Sequence, residues 1–186
     1  AFHKGKYRKK IIINLANLYF KAGQFVKAAM IYEKIAKKDK SYLRTSIQSY
    51  IASLKDPEKL NPLELAEARY GFRATAKNFI KNNKGHKSIA SIRFSLGQSY
   101  YDERRFDLTV RALNSYIKYH SADKNVPTAA NLILDSYHQK EDYKGIIREG
   151  KKILANKRLR FPRLKSQVRQ IIQQAELKLV HNQAGG

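Results

Sequence analysis

Side chains that could do chemistry are scattered along this 186-residue chain, and their spacing argues against catalysis. The five histidines, His3, His86, His120, His138 and His181, stand far apart and show no metal-ligand spacing. Cysteine is absent, so no thiolate metal site, disulfide or thiol nucleophile can form. No glycine-rich phosphate loop and no nucleophile elbow occurs. The adjacent acidic pairs Asp102-Glu103 and Glu141-Asp142 fall where helices are predicted to turn, and there they are expected to cap and solubilise. The expectation is a protein with no enzymatic activity, no bound metal and no cofactor.

What the chain has in quantity is positive charge. Lys plus Arg number 38 against 15 Asp plus Glu, a net of +23. Such a field attracts nucleic acid, acidic proteins, anionic membranes or polyanionic polymers. The cations cluster at Lys4–Lys10, Lys34–Lys40, Lys81–Lys87 and Lys151–Lys165. The last cluster holds Lys151, Lys152, Lys157, Arg158, Arg160, Arg163 and Lys165 and is the candidate basic patch. Single-strand binding also needs interleaved aromatic platforms. Here the aromatics recur at helical spacing, as packing residues do, and no signature of the common RNA modules is present. An acidic protein or another polyanion is therefore the favoured partner, with nucleic acid as the alternative.

The elements that would position these residues are all helical. A cassette occurs three times: a Tyr near a helix end, a turn, an aromatic, and an apolar helix. The copies are Leu15-Ala16-x-x-Tyr19 with Gly23, Phe25, Ala28 and Tyr32; Leu96-Gly97-x-x-Tyr100 with Phe106 and Thr109; and Ile133-Leu134-x-x-Tyr137 with Tyr143 and Ile146. Repeats of this kind imply stacked helix pairs. Residues 1–10 form a basic lead-in. The first helix is predicted over 7–22 with Ile12, Leu15, Ala16 and Tyr19 inward, ended by Gly23, and its partner over 25–38. Further helices are predicted over 41–54, 62–82, 87–103, 106–120, 127–140 and 143–155. Asn61 is the expected N-cap of the 62–82 helix, with Pro62 at its first position and Glu64 completing a capping box. A last helix, near 163–181, would close the stack with a polar face, and 183–186 would be a flexible tail. The class is all-α, with one domain over 11–182. No apolar run approaches the length of a membrane span. The chain begins at Ala1 without Met, as expected of a processed chain or a piece of a longer one.

Ile12, Leu15-Ala16, Tyr19, Gly23, Phe25, Ala28 and Tyr32 resemble a tetratricopeptide (TPR) repeat, and Leu96-Gly97, Tyr100 and Phe106 resemble a second. The 133–153 segment is a looser copy, and 41–82 departs from the pattern. The uneven spacing is similar in style to TPR proteins of the bacterial envelope, which leaves periplasm, envelope or cytoplasm open. The resemblance implies a right-handed superhelical solenoid of about four helix pairs plus a closing helix, serving as a protein-binding scaffold or adaptor. It further implies a concave groove lined by the first helix of each pair. The groove candidates are Ile13, Asn17, Phe20 and Lys21, then Phe94, Gln98 and Tyr101, then Asn131, Asp135 and His138. Such positions suit an extended or helical peptide, with amides meeting its backbone and aromatics supplying area. The carboxylate clamp of some TPR proteins is not expected, because Ile13 and Phe94 stand where it needs lysine.

Overall fold

The structure is a computed structural model that describes the backbone of residues 2–184 and the side chains of residues 7–182. Among the described residues it is all helical, with nine α-helices, two short 3₁₀ turns and no strand. The chain divides into two compact units, residues 1–89 and 90–186.

The first unit holds α1 (Phe2–Lys21), α2 (Phe25–Ala36), α3 (Leu43–Ser53) and α4 (Pro62–Asn82). Helix α1 starts earlier than expected, so the basic lead-in is helical from Phe2 onward. Its Lys and Arg residues are good helix formers. Lys9 ties this segment down by pairing with Asp39 at 2.8 Å. That bond and the Ser41 hydroxyl hold the Asp39 carboxyl down at about 2. Helix α2 packs against each of the other three helices. The α1–α2 core contains Ala16, Ala28, Tyr32 and Ile35. Ser46 Oγ donates to the Ala29 carbonyl at 2.9 Å, and the Tyr50 hydroxyl donates to Glu33 at 2.9 Å, so α3 is bolted to α2 twice. The capping box at the start of α4 forms as expected, with Asn61 and Glu64 satisfying each other's backbone N–H.

Two residues expected inward on α1 face out. Ile12 and Leu15 are 37% and 44% exposed, while Ala16 is fully buried. The reason is that α2 covers α1 only along the line of Ile13, Ala16 and Tyr19. The opposite face leaves Tyr7, Ile11, Leu15 and Leu18 as an exposed apolar stripe at helical spacing.

The second unit holds α5 (Ile89–Asp102), α6 (Phe106–Tyr119), α7 (Val126–His138), α8 (Tyr143–Ala155) and α9 (Pro162–Ala184). Sequential neighbours pack together from α6 to α9. Helix α5 meets α6 where Gly97 faces Leu113 and Phe94 faces Tyr116. One core runs through the unit, from Phe94 and Leu113 through Ile133 and Ile146 to Val168 and Ala175. Helix α9 continues to Ala184, so 183–184 are helical, and the remainder of the expected tail, 185–186, lies outside the described residues. Its solvent face is not wholly polar, since Leu177 and Val180 are each 65% exposed.

The three cassettes share one turn. After α1, Gln24 N–H donates to the Tyr19 carbonyl and Gly23 N–H to that of Phe20. After α5, Arg105 donates to Tyr100 and Arg104 to Tyr101; after α7, Asp142 donates to Tyr137 and Glu141 to His138. This is the paired Schellman closure each time, with the cassette Tyr accepting the longer bond. The left-handed residue is Gly23 (φ 75°), Arg104 (φ 56°) or Glu141 (φ 55°). An edge-on ring pair spans every turn: Phe20 with Phe25, Tyr101 with Phe106, and His138 with Tyr143. Each cassette Tyr ring also carries a cation, from Lys27, Arg105 or Arg148.

Only the first turn uses a glycine, so the other two carry backbone strain. A left-handed non-glycine residue costs about 1–2 kcal/mol, part of which glycine gives back as unfolded-state entropy. Glu141→Gly should therefore stabilise the second unit by about 0.5–1 kcal/mol, read as a higher urea midpoint at unchanged slope. Arg104→Gly should gain less, because Arg104 lies 5.6 Å over the Phe106 ring and would forfeit that contact.

His120, at the end of α6, gives this unit a pH dependence. Its ring lies against Tyr116, and its Nε2 is buried without a hydrogen-bond partner. Burial first, and the Arg93 charge second, push its pKa below the usual 6.5, with Asp123 opposing. The unfolded chain thus binds the proton more readily than the folded one. Stability should fall as pH drops through 6.5 and level off below the depressed folded value. His120→Gln should flatten the difference between urea midpoints measured at about pH 7.5 and about pH 5.5.

Candidate functional site

A groove of about 940 Å³ opens in the second unit between α7, α8 and α9. Its floor is apolar, made by Leu134, Ile146, Ile171 and Ala175, and its rim is polar. Helix α7 contributes Asn131, Asp135 and His138, and α9 contributes Gln167, Gln170 and Gln174, with the exposed Leu177, Lys178 and His181 toward one end. The residues of α9 recur every three or four positions from Gln167 to His181, so one continuous face lines the groove. A neighbouring face, Leu164, Val168, Ile172 and Ala175, is buried in the core of the unit. Gly150 sets the depth of this wall. A Cβ there would stand 2.7 Å from Ile172 Cγ1, so glycine lets α8 and α9 come close.

The polar rim is partly pre-ordered. Asp135 accepts a hydrogen bond from the Tyr101 hydroxyl and a longer one, 3.4 Å, from Gln139 Nε2. The bond to Asp135, then burial, pushes the Tyr101 hydroxyl up to about 12, so it stays protonated at neutral pH. His138 is exposed, and its ring meets Tyr143 edge-on at 6.5 Å. The groove thus offers an apolar strip bordered by amides.

The ten residues singled out as groove candidates do not share one fate. Asn131, Asp135 and His138 line this groove, and Tyr101 reaches it through Asp135. Gln98 is half-buried on α5. Phe94 is not a surface residue: it is 8% exposed and packs 5.5 Å from the Tyr116 ring, so it belongs to the core. The cause is the Leu113–Tyr116 face of α6, which covers that side of α5. Ile13, Asn17, Phe20 and Lys21 belong to the first unit. There Ile13 packs half-buried on the core, and Asn17 Oδ1 accepts the Tyr32 hydroxyl at 2.6 Å. Phe20 is 38% exposed against Phe25, and Lys21 is exposed at the end of α1.

Sequence reasoning missed the contribution of α9. The signal was the glutamine series Gln167, Gln170 and Gln174, which keeps step with Ile171 and Lys178 on one face. The same helix carries a more apolar face, Leu164, Val168, Ile172 and Ala175, and its period masks that of the glutamines.

The basic patch is also divided by the structure. Lys151 lies 3.8 Å from Glu176, and Lys152 lies 2.7 Å from Glu149. Lys157, Arg158, Arg160 and Arg163 are exposed, and Lys165 is half-buried. From Lys144 to Arg169 there are ten Lys/Arg and one acid, Glu149. That acid is 5% exposed, so the surface of this stretch is cationic throughout. Among the described residues no group of three or more His, Asp or Glu could hold a metal ion, and no helix is long and apolar enough to cross a membrane. No protein-family model matches the chain, and no curated protein matches it.

Proposed function

We propose that this chain is a TPR-like helical-repeat scaffold without catalytic activity, whose α7–α8–α9 groove takes a helical or extended segment of a protein partner. The observation that carries the reading is the groove itself, with its apolar floor of Leu134, Ile146, Ile171 and Ala175 between amide rims. Along α9 it runs from Gln167 to His181, about 21 Å at the helical rise, room for about four turns of a bound helix. A bound segment would bury apolar anchors on the floor while Asn131 and the glutamines meet its polar groups. The three equivalent turns support a helical-repeat origin, and a superhelical solenoid is the architecture proposed from them. The unit's excess of Lys and Arg would steer an acidic partner and speed its encounter.

The test compares the intact chain with a Leu177→Asp/Gln170→Ala variant as bait in a lysate of the source organism, with and without nuclease, washed at low salt and then at about 0.5 M salt, where screening is severe. A specific protein held by the intact chain and lost by the variant is the expected result. Recovery of the same proteins by both baits would sink the reading. The cationic run from Lys144 to Arg169 favours a second reading, in which the surface associates with nucleic acid. It predicts recovery of nucleic acid only, with an affinity that falls log-linearly with salt.

A further inference from the structure

We propose that a second cleft, between the end of α6 and the α8–α9 connection, binds a single phosphate dianion, free or as a monoester. The cleft has a volume of about 290 Å³ and lies within the second unit. Lys118 and Asn114 enter it from α6, Lys152 from α8, Arg158 and Asn156 from the connection, and Ser121 from the turn after α6. No acidic side chain lines it. The floor is Ile117, Ile153 and Leu159, all nearly buried, and the cations stand at the exposed rim around it.

Part of the donor set is held in place. Leu159 is 2% exposed and anchors the connection in the core. Asn156 Oδ1 accepts the Arg158 N–H at 3.0 Å, which orders the turn bearing Arg158 and leaves the Asn156 amide NH₂ as a donor. Glu149 is the nearby acid, and it positions the site. Its buried carboxylate takes Lys152 Nζ at 2.7 Å and Asn114 Nδ2 at 3.3 Å, holding both at the cleft wall. Three cations from separate segments converge on one small volume, Lys118 and Arg158 together with Lys152, whose charge is shared with Glu149. A polymer backbone is tracked by a row of cations, whereas convergence suits one tetrahedral, doubly charged group. An arginine fork is well matched to phosphate oxygens.

The experiment titrates the full chain with inorganic phosphate in a chloride buffer by calorimetry. It compares the intact chain with Lys118→Gln/Arg158→Gln and with Arg111→Gln/Lys124→Gln, which removes the same charge from outside the cleft. All four side chains are exposed, and thermal melts check that both variants fold. Saturable binding is expected, weakened about tenfold or more by the cleft variant and little changed by the control. Equal weakening in both variants, or no saturable binding by the intact chain, overturns the proposal. A second arm uses neutral vesicles with and without a phosphoinositide monoester headgroup. Cosedimentation that the cleft variant abolishes assigns the phosphate to a lipid, and phosphate binding without cosedimentation assigns it to a soluble ligand.

Discussion

Tyr116→Ala should destabilise the second unit by about 3–5 kcal/mol, the usual cost of emptying a large aromatic site in a core. Tyr116 is fully buried. Its ring packs between Phe94 and His120, with centroids 5.5 and 5.7 Å away. Its hydroxyl donates to Asp123 Oδ1 at 2.6 Å, and the same oxygen accepts the Asn125 N–H at 2.9 Å. One side chain therefore joins the α5–α6 packing to the turn that starts α7. Truncation leaves a cavity and takes a partner from Asp123. Tyr116→Phe separates the two effects: it keeps the ring and removes only the hydrogen bond, so a loss of about 1–2 kcal/mol is expected. Urea unfolding of the three proteins gives both numbers, and equal losses for Phe and Ala would show that packing contributes little here. The bond also shapes the titration of both partners. Burial, then Asp123, pushes the Tyr116 hydroxyl far above its normal range, while Tyr116 and the Asn125 N–H outweigh desolvation and hold Asp123 below 3.8. The Asp123 contribution is present above the normal carboxylate range and is lost as pH falls through its lowered folded value.

Gly71→Ala should cost the first unit about 2–3 kcal/mol, although alanine is ordinarily the better helix former. Gly71 is buried within α4, and a Cβ there would overlap the Tyr50 ring and its phenolic oxygen. Relief by ring movement is blocked, because Tyr50 is 2% exposed and its hydroxyl is held by Glu33 at 2.9 Å. Burial, then the Glu33 charge, keeps that hydroxyl protonated well above its usual range. An exposed α4 position such as Ala74 offers the contrast, since Ala74→Gly should cost only about 1 kcal/mol through propensity. Coupling decides the cause. With Tyr50→Leu the ring is gone, and adding Gly71→Ala to that background should cost far less than in the intact chain. A cost independent of Tyr50 would place the strain elsewhere in α4.

Much of this fold was legible in the sequence because its determinants are local. Helix starts and stops follow from side chains acting on their own backbone. Asn61 and Glu64 cap α4 reciprocally, and Gly23 takes the left-handed closure of α1. The 3.6-residue period of Leu65, Ala68, Phe72, Ala76, Phe79 and Ile80 reports an inward face directly: Ala68, Phe72, Ala76 and Phe79 are buried, and Leu65 and Ile80 are half-buried at its edges. The repetition of Tyr19, Tyr100 and Tyr137 also had a local meaning, since each closes the same two-bond turn. The closure at Arg104 and Glu141 was not legible. Nothing about those side chains favours a positive φ, and the packing of the flanking helices imposes it.

The candidate site was legible only in part, for a related reason. Helical spacing says which residues share a face, but it does not say which of two apolar faces a neighbour will cover. Phe94 and Leu15 show both failures: Phe94 is covered by α6, while Leu15 stands 44% exposed on α1. Helix α9 has one face in the core and another along the groove, and a single period describes both. Lys118 and Arg158 are forty positions apart, so no motif joins them until α6 and the α8–α9 connection are brought to one cleft. The sequence by itself determined helix content, the caps, the repeated turn and the cationic field, because these depend on near neighbours and on composition. Tertiary structure alone decided which faces are buried, where the grooves open and which cations converge, because those depend on burial between segments distant along the chain.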